Sequence, residues 1–271
     1  MPAINAIAPD KLLRLIGTPS CPILVDVRPS GDLVPGSIRR PPESVADWAD
    51  ELDAPHAIVI CRHGAETSAG VAAWLRQAGR KAEILEGGAE GWAAAGLPLV
   101  REAVLPPRDA KGRTAWVTRA RPKVDRIACP WLIRRFVDPA AIILFVAPAE
   151  VAGVGARLDA APFDVEGAYW SHRGDLCTFD VMIDELGLAG LPALARLAPI
   201  VRGADTARPE LAPQAAGLLA VSLGLSRLHA DDHEQLDAGM LVYDAFYRWC
   251  RDAMDETHDW VSHVPKARVK A

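Results

Sequence analysis

The sequence predicts two domains: an α/β domain with a mostly parallel sheet and helices on both faces, then a helix-rich α+β domain. Three observations point there. Over the first hundred residues, short apolar runs of strand length (Ile23-Leu24-Val25, Ile58-Val59-Ile60, then 82–85) alternate with helical periods. The stretch 101–112 is rich in charge, Pro and Gly and has no period, which marks a linker. From residue 179 onward the apolar period is helical. The expected units are 1–102, a linker over 103–113, and 114–271, the last ending in a tail from about residue 255.

Taken in order, 9–16 reads as a short helix with Leu12, Leu13 and Ile16 inward, and 44–52 as another. The strand at 58–60 runs into Cys61, a polar loop with Gly64, and a helix starting at Thr67 or Ser68 whose stripe is Val71, Leu75 and Ala78. In the second half, 115–118 is a strand, Asp125 caps a helix reaching Phe136, 141–146 is a strand, 149–158 a helix and 167–172 a strand. Helices follow over 193–201, 214–223 and 232–254.

A chain of 271 residues can bury two cores, and 50% hydrophobic with 24% charged residues is a globular composition. The net charge is −5, with 10 basic and 13 acidic residues up to position 102 and 20 and 22 after it. Neither half has the basic excess of a nucleic-acid or anionic-membrane binder, so neither partner is expected. Five cysteines form no CxxC pair, which fits a reducing compartment. Residues 1–5 lack a basic segment leading into an apolar one, and no run reaches the roughly 18 apolar residues of a membrane span. A cytoplasmic location is expected.

Cys61 carries the chemistry of the first domain. A loop that ends at a helix start turns free backbone N–H groups toward its own centre, where the helix dipole is positive. A thiol there is expected to lose its proton and act as a nucleophile, with Arg62, His63, Gly64, Ala65, Glu66, Thr67 and Ser68 forming the cradle for an anion. The blander alternative is an inert cysteine at the end of a core strand.

Four collinear motifs add to this: Asp26-Val27-Arg28, Val34-Pro35-Gly36-Ser37-Ile38, the loop Cys61 to Glu66, and Leu85-x-Gly87-Gly88-x-x-x-Trp92. Through them residues 5–102 resemble a rhodanese domain. The resemblance implies a sulfurtransferase that forms a persulfide on Cys61, takes a small sulfur donor and a thiol acceptor, requires no cofactor, and places Asp26 and Arg28 near the loop. Thiosulfate-using members usually carry Arg or Lys at the sixth loop position, where this chain has Glu66. The related phosphatase loop needs an arginine six residues after the cysteine, and Thr67 stands there.

In the second domain, the segment from Asp125 to Phe136, Cys177-Thr178-Phe179-Asp180, Val201-Arg202-Gly203-Ala204-Asp205-Thr206, and Asp231-Asp232-His233 with Gly239-Met240-x-Val242-Tyr243-Asp244 are distinctive. Over 114–253 they resemble the carboxyl-terminal domain of the bacterial chromate-resistance proteins, which implies a role in chromate tolerance. Arg119, Arg121 and Arg126 lie around a helix start and suit a tetrahedral dianion such as chromate or sulfate, unless they form an ordinary charged face. His172 with Asp175, Asp180 and Asp205, and His229 with Asp231, Asp232 and His233, form an acidic and imidazole-bearing constellation. His172, His229 and His233 are candidate ligands for a divalent metal, against the alternative that Asp231 and Asp232 cap a helix. Two functions follow: a sulfurtransferase contributing to oxyanion tolerance, or a non-catalytic oxyanion- or redox-responsive sensor.

Overall fold

The computed structural model describes residues 5–52 and 54–257. The first domain contains β1 (Ala6–Ile7), α1 (Pro9–Leu13), β2 (Ile23–Asp26), β3 (Ser37–Arg39), α2 (Val45–Trp48), β4 (His56–Ile60), α3 (Glu66–Gln77), β5 (Lys81–Leu85) and α4 (Gly88–Ala94). Its strands are all parallel, in the order β1-β5-β4-β2-β3. The apolar runs are continuous because the sheet is covered on both faces. Ile58 and Ile60 of β4 face a core with Leu12 and Trp92, while Ala57 and Val59 face another with Trp48, Val71 and Leu75. Cys61 follows the central strand directly, at the carboxyl end of the sheet.

The second domain runs β6 (Ala115–Arg119), α5 (Asp125–Phe136), β7 (Ile142–Val146), α6 (Val151–Leu158), β8 (Ala161–Pro162), α7 (Thr178–Glu185), α8 (Pro192–Asp205), α9 (Ala215–Leu228) and α10 (Asp232–Asp252). β6 is central in a parallel three-stranded sheet, flanked by β7 and β8. The third strand is β8, in place of the strand expected over 167–172. Asp164 and Gly167 take φ of +52° and +77°, which ends the extended run, and Trp170 makes only an isolated bridge to Phe163. The tail expected from about 255 falls mainly on residues outside those described.

Between the two units, Asp109 accepts the amides of Lys111 and Arg113 and closes a turn, and Arg108 bridges to Thr114. One apolar core passes through both domains: Leu12, Ile16 and Trp92 join Trp131, Phe136 and Tyr247 in it. The Gly36 amide also donates to the Phe136 carbonyl, at 2.5 Å. Among the described residues no helix is long and apolar enough to cross a membrane.

Candidate functional sites

Cys61 is buried, 7% exposed, at the base of the loop between β4 and α3. Its Sγ accepts the amides of Gly64 at 3.2 Å and Ala65 at 3.3 Å and lies 3.0 Å from Ser68 Oγ. Burial, the largest single influence, raises the thiol pKa. The Ser68 hydroxyl and the loop amides together outweigh it, so the value falls below that of an ordinary cysteine. The other four cysteines are free and go the other way: burial pushes Cys21 up to about 12 and Cys250 to about 11, and raises Cys129 and Cys177 as well. Cys61 is singled out by its surroundings, not by its residue type.

The Gly87-Gly88 pair has a local reason. Gly88 has φ +60°, and a Cβ on it would fall 2.5 Å from the Cys61 carbonyl oxygen and from the Gly64 nitrogen. Only glycine allows α4 to start so close beneath the loop. The Ala89 and Glu90 amides then donate to the carbonyls of Cys61 and Arg62, at 2.9 and 3.0 Å. Trp92 completes the support from the buried side, with Nε1 donating to the Pro98 carbonyl at 2.8 Å.

Arg62, His63, Glu66 and Thr67 are exposed around the mouth of the loop. Arg62 Nε donates to Glu90 Oε1 at 2.5 Å, and His63 Nδ1 lies 3.1 Å from Glu90 Oε2. Arg62 and His63 therefore both face a carboxylate that the sequence alone did not single out. Glu66 is the first residue of α3, so a second acid stands at the anion-attracting helix end. Asp26 is fully buried on β2, opposite Ile60, but its carboxylate is held by Arg28 at 2.6 to 3.1 Å. Arg28 also donates to the Asp32 carbonyl, so the pair braces the turn after β2.

The three arginines of the second domain divide. Arg119 and Arg126 reach Asp164 Oδ2 at 3.0 and 3.3 Å. Arg121 donates instead to the Ser226, His229 and Ala230 carbonyls at the end of α9, and lies 3.7 Å from Asp232. They do not converge on one point.

The three histidines also separate, which corrects the expected ligand set. Asp231 caps α10 by accepting the His233 and Glu234 amides at 2.8 and 3.0 Å. His229 therefore precedes the helix, and a spacing of four sets no common face there. His229 lies near Glu234 and His233 packs edge-on to Phe145. Asp175 is paired with Arg208, and Asp180 accepts the Cys177 amide in the first turn of α7.

His172 sits in a different cluster. Its Nε2 lies 3.2 Å from Asp205 Oδ2, 3.4 Å from Asp164 Oδ1 and 3.6 Å from Asp125 Oδ2. Asp125 opens α5, Asp164 follows β8 and Asp205 ends α8, so the cluster gathers at the carboxyl ends of β6 and β8. Val124, just before Asp125, has φ +29°, which is strained for a β-branched residue. Ser222 Oγ accepts its amide and Tyr243 donates to its carbonyl, both at 3.0 Å, which fixes the start of α5. Burial, then the charges of Asp205 and Asp164, push the Asp125 carboxyl well above its usual range, and burial followed by Asp164 raises Asp205 too. Asp205 and His172 belonged to the expected constellation. Asp164 carried no sequence signal, and Asp125 showed only that of a helix cap.

A cysteine in a strand-loop-helix cradle on a parallel sheet is the arrangement of a rhodanese-like domain, and residues 8–95 match that family. Residues 116–250 match the ChrB C-terminal domain, so the chain joins a rhodanese-like domain to a member of the ChrB C-terminal family. Protein ChrB of Cupriavidus metallidurans is 36% identical over 141 residues, which are 52% of this chain and 42% of that relative. The match thus spans less than half of that protein's length. Among solved structures, a rhodanese-related protein from Thermoplasma volcanium is 27% identical, with TM-score 0.32, over 36% of this chain and 98% of its own. A thiosulfate sulfurtransferase from Pseudomonas aeruginosa is 23% identical, with TM-score 0.31, over 36% of this chain and 19% of its own.

Proposed function

We propose that this protein is a cytoplasmic sulfurtransferase whose second domain serves chromate or oxyanion tolerance. The observation that carries the first part is the Cys61 sulfur, held by two amides and a hydroxyl and shifted toward thiolate. The thiolate attacks the outer sulfur of a donor such as thiosulfate. The S–S bond of the donor breaks, sulfite leaves with the electron pair, and Cys61 becomes a persulfide. A thiol acceptor, as thiolate, then attacks the terminal sulfur, carries it away as its own persulfide and restores the Cys61 thiolate. The loop amides hold the anionic end in both steps. The tolerance role rests on the ChrB C-terminal match, and the location on the five free cysteines.

Intact mass after incubation with thiosulfate or a persulfide donor tests the reading. A gain of about 32 Da, the mass of one sulfur, is expected on the wild type and on Cys21→Ser, and none on Cys61→Ser. A gain that survives Cys61→Ser refutes the assignment. The pairing of Arg62 and His63 with Glu90 favours a second reading, a sensor that binds an oxyanion or a persulfide without turnover. A persulfide that forms but is never passed to a thiol acceptor would select it.

A further inference from the structure

We propose that Asp125, Asp164 and His172, with Asp205 beside them, form a binding site for one divalent first-row transition-metal ion, independent of the chemistry at Cys61. Ligand atoms of Asp125, Asp164 and His172 lie within 4.8 Å of one another, and Asp205 Oδ2 is the carboxylate oxygen nearest to His172. Two ligands about 2.1 Å from a tetrahedral ion stand about 3.4 Å apart. The imidazole nitrogen meets the three carboxylates at 3.2, 3.4 and 3.6 Å, and none of these contacts has hydrogen-bond geometry. For Asp125, Asp164 and His172, which are also close to one another, that is the spacing of donors around a shared centre; Asp205 stands beside the imidazole.

A second observation points the same way. Asp125 is fully buried and its Oδ1 has no hydrogen-bond partner, while Oδ2 accepts the Phe179 amide at 3.3 Å and approaches His172, and the Cys177 thiol is within reach of the carboxyl. An orphaned carboxylate oxygen inside a protein is costly unless a cation meets it. Arg119 and Arg126 balance Asp164. No arginine or lysine among the described residues is ion-paired with Asp125 or Asp205, and Asp205 stands at the carboxyl end of α8, where the helix dipole repels an anion. Among the described residues Asp125 and Asp205 thus have no arginine or lysine partner, and a bound cation would supply one.

The surroundings fit a bound ion. Thr178 Oγ1 donates to Asp164 Oδ1 at 3.1 Å and the two arginines hold Oδ2, the kind of outer contact that orients a metal ligand. A cleft of about 450 Å³ lined by Arg119, Asp164, Glu166, Ser171 and His172 gives entry from solvent. Carboxylate oxygens and an imidazole nitrogen suit manganese, iron or zinc, and disfavour copper(I), which prefers sulfur.

The test is titration of the full-length protein with manganese(II), followed by electron paramagnetic resonance of the free ion, then competition with zinc(II). One ion per chain is expected, with binding weakened at least about tenfold in His172→Gln and by less in Asp205→Asn. His229→Ala and His233→Ala are expected to bind as the wild type does. Asp125→Asn tests the buried ligand, and the half-exposed His172 keeps the test valid if that variant does not fold. Absence of binding, or binding unchanged in both Asp205→Asn and His172→Gln, overturns the site. Cys61→Ser is expected to bind manganese normally, so this result and the sulfur-transfer result fail separately.

Discussion

Glu90 holds Arg62: Nε meets Oε1 at 2.5 Å across the mouth of the Cys61 loop, and the other carboxylate oxygen faces His63. The two side chains that an anionic donor would meet first are thus turned toward an acid on α4. Glu90→Gln keeps the shape and removes the competing charge. Because the pair is exposed and screened by water, the expected gain is modest: KM for thiosulfate falls, up to about fivefold, with kcat little changed. Steady-state kinetics at low and high salt check it, and a KM that rises would show that Glu90 positions the arginine for the donor.

Glu66 acts at the same mouth from the first turn of α3. A carboxylate there opposes an incoming dianion. Glu66→Arg is expected to lower KM for thiosulfate and to steepen its dependence on ionic strength. An unchanged KM with unchanged salt dependence would mean that thiosulfate does not enter beside this residue.

Ser68 sets the working pH. In the thiolate state its hydroxyl proton turns to Sγ, 3.0 Å away, and favours the charged form. Rate is lost as pH falls through the lowered pKa of Cys61. Ser68→Ala removes the hydrogen bond, so that pKa rises and the acid limb of the rate profile moves to higher pH, while the alkaline plateau stays. The folded-state thiolate also contributes stability above the unfolded thiol pKa, and that contribution disappears as pH falls through the folded value. A limb that does not move in Ser68→Ala would assign the shift to the amides alone.

The Cys61 loop was legible because strand, cysteine, glycine and helix start lie within one dozen residues, where local pattern is decisive. The contact with Glu90 was not, since that acid comes from another helix and looks like any exposed first-turn glutamate. The same holds more strongly in the second domain. Asp125, Asp164, Asp205 and His172 arrive from four elements, and β8, which delivers Asp164, is two residues long and has no readable period. The His229 and His233 spacing misled because α10 begins only at Asp232. α5 was legible in extent, since an acid at its start and an apolar pattern reaching Phe136 agree, but Asp125 is its first residue and not the expected cap, a position that falls to Val124.

The shared core makes a further prediction, about the join between the domains. Gly17 has φ +77°, and a Cβ there would fall 2.4 Å from Phe136 Cζ and 2.8 Å from Tyr247 Cε1. Gly79 has nearly the same φ, +80°, and nothing within 4 Å of its own Cβ position. Alanine at either site costs about 1–2 kcal/mol for the left-handed backbone. At Gly17 it must also displace two rings of the second domain, which adds about 1–3 kcal/mol. Gly17→Ala is therefore expected to lower the unfolding free energy further than Gly79→Ala does, by that second amount, in urea titrations of the full chain. A separate 113–271 fragment should likewise be less stable than its counterpart in the intact chain, because Phe136 and Tyr247 lose Leu12, Ile16 and Trp92. Equal losses in the two alanine variants would place Phe136 away from Gly17 and leave the two domains with separate cores.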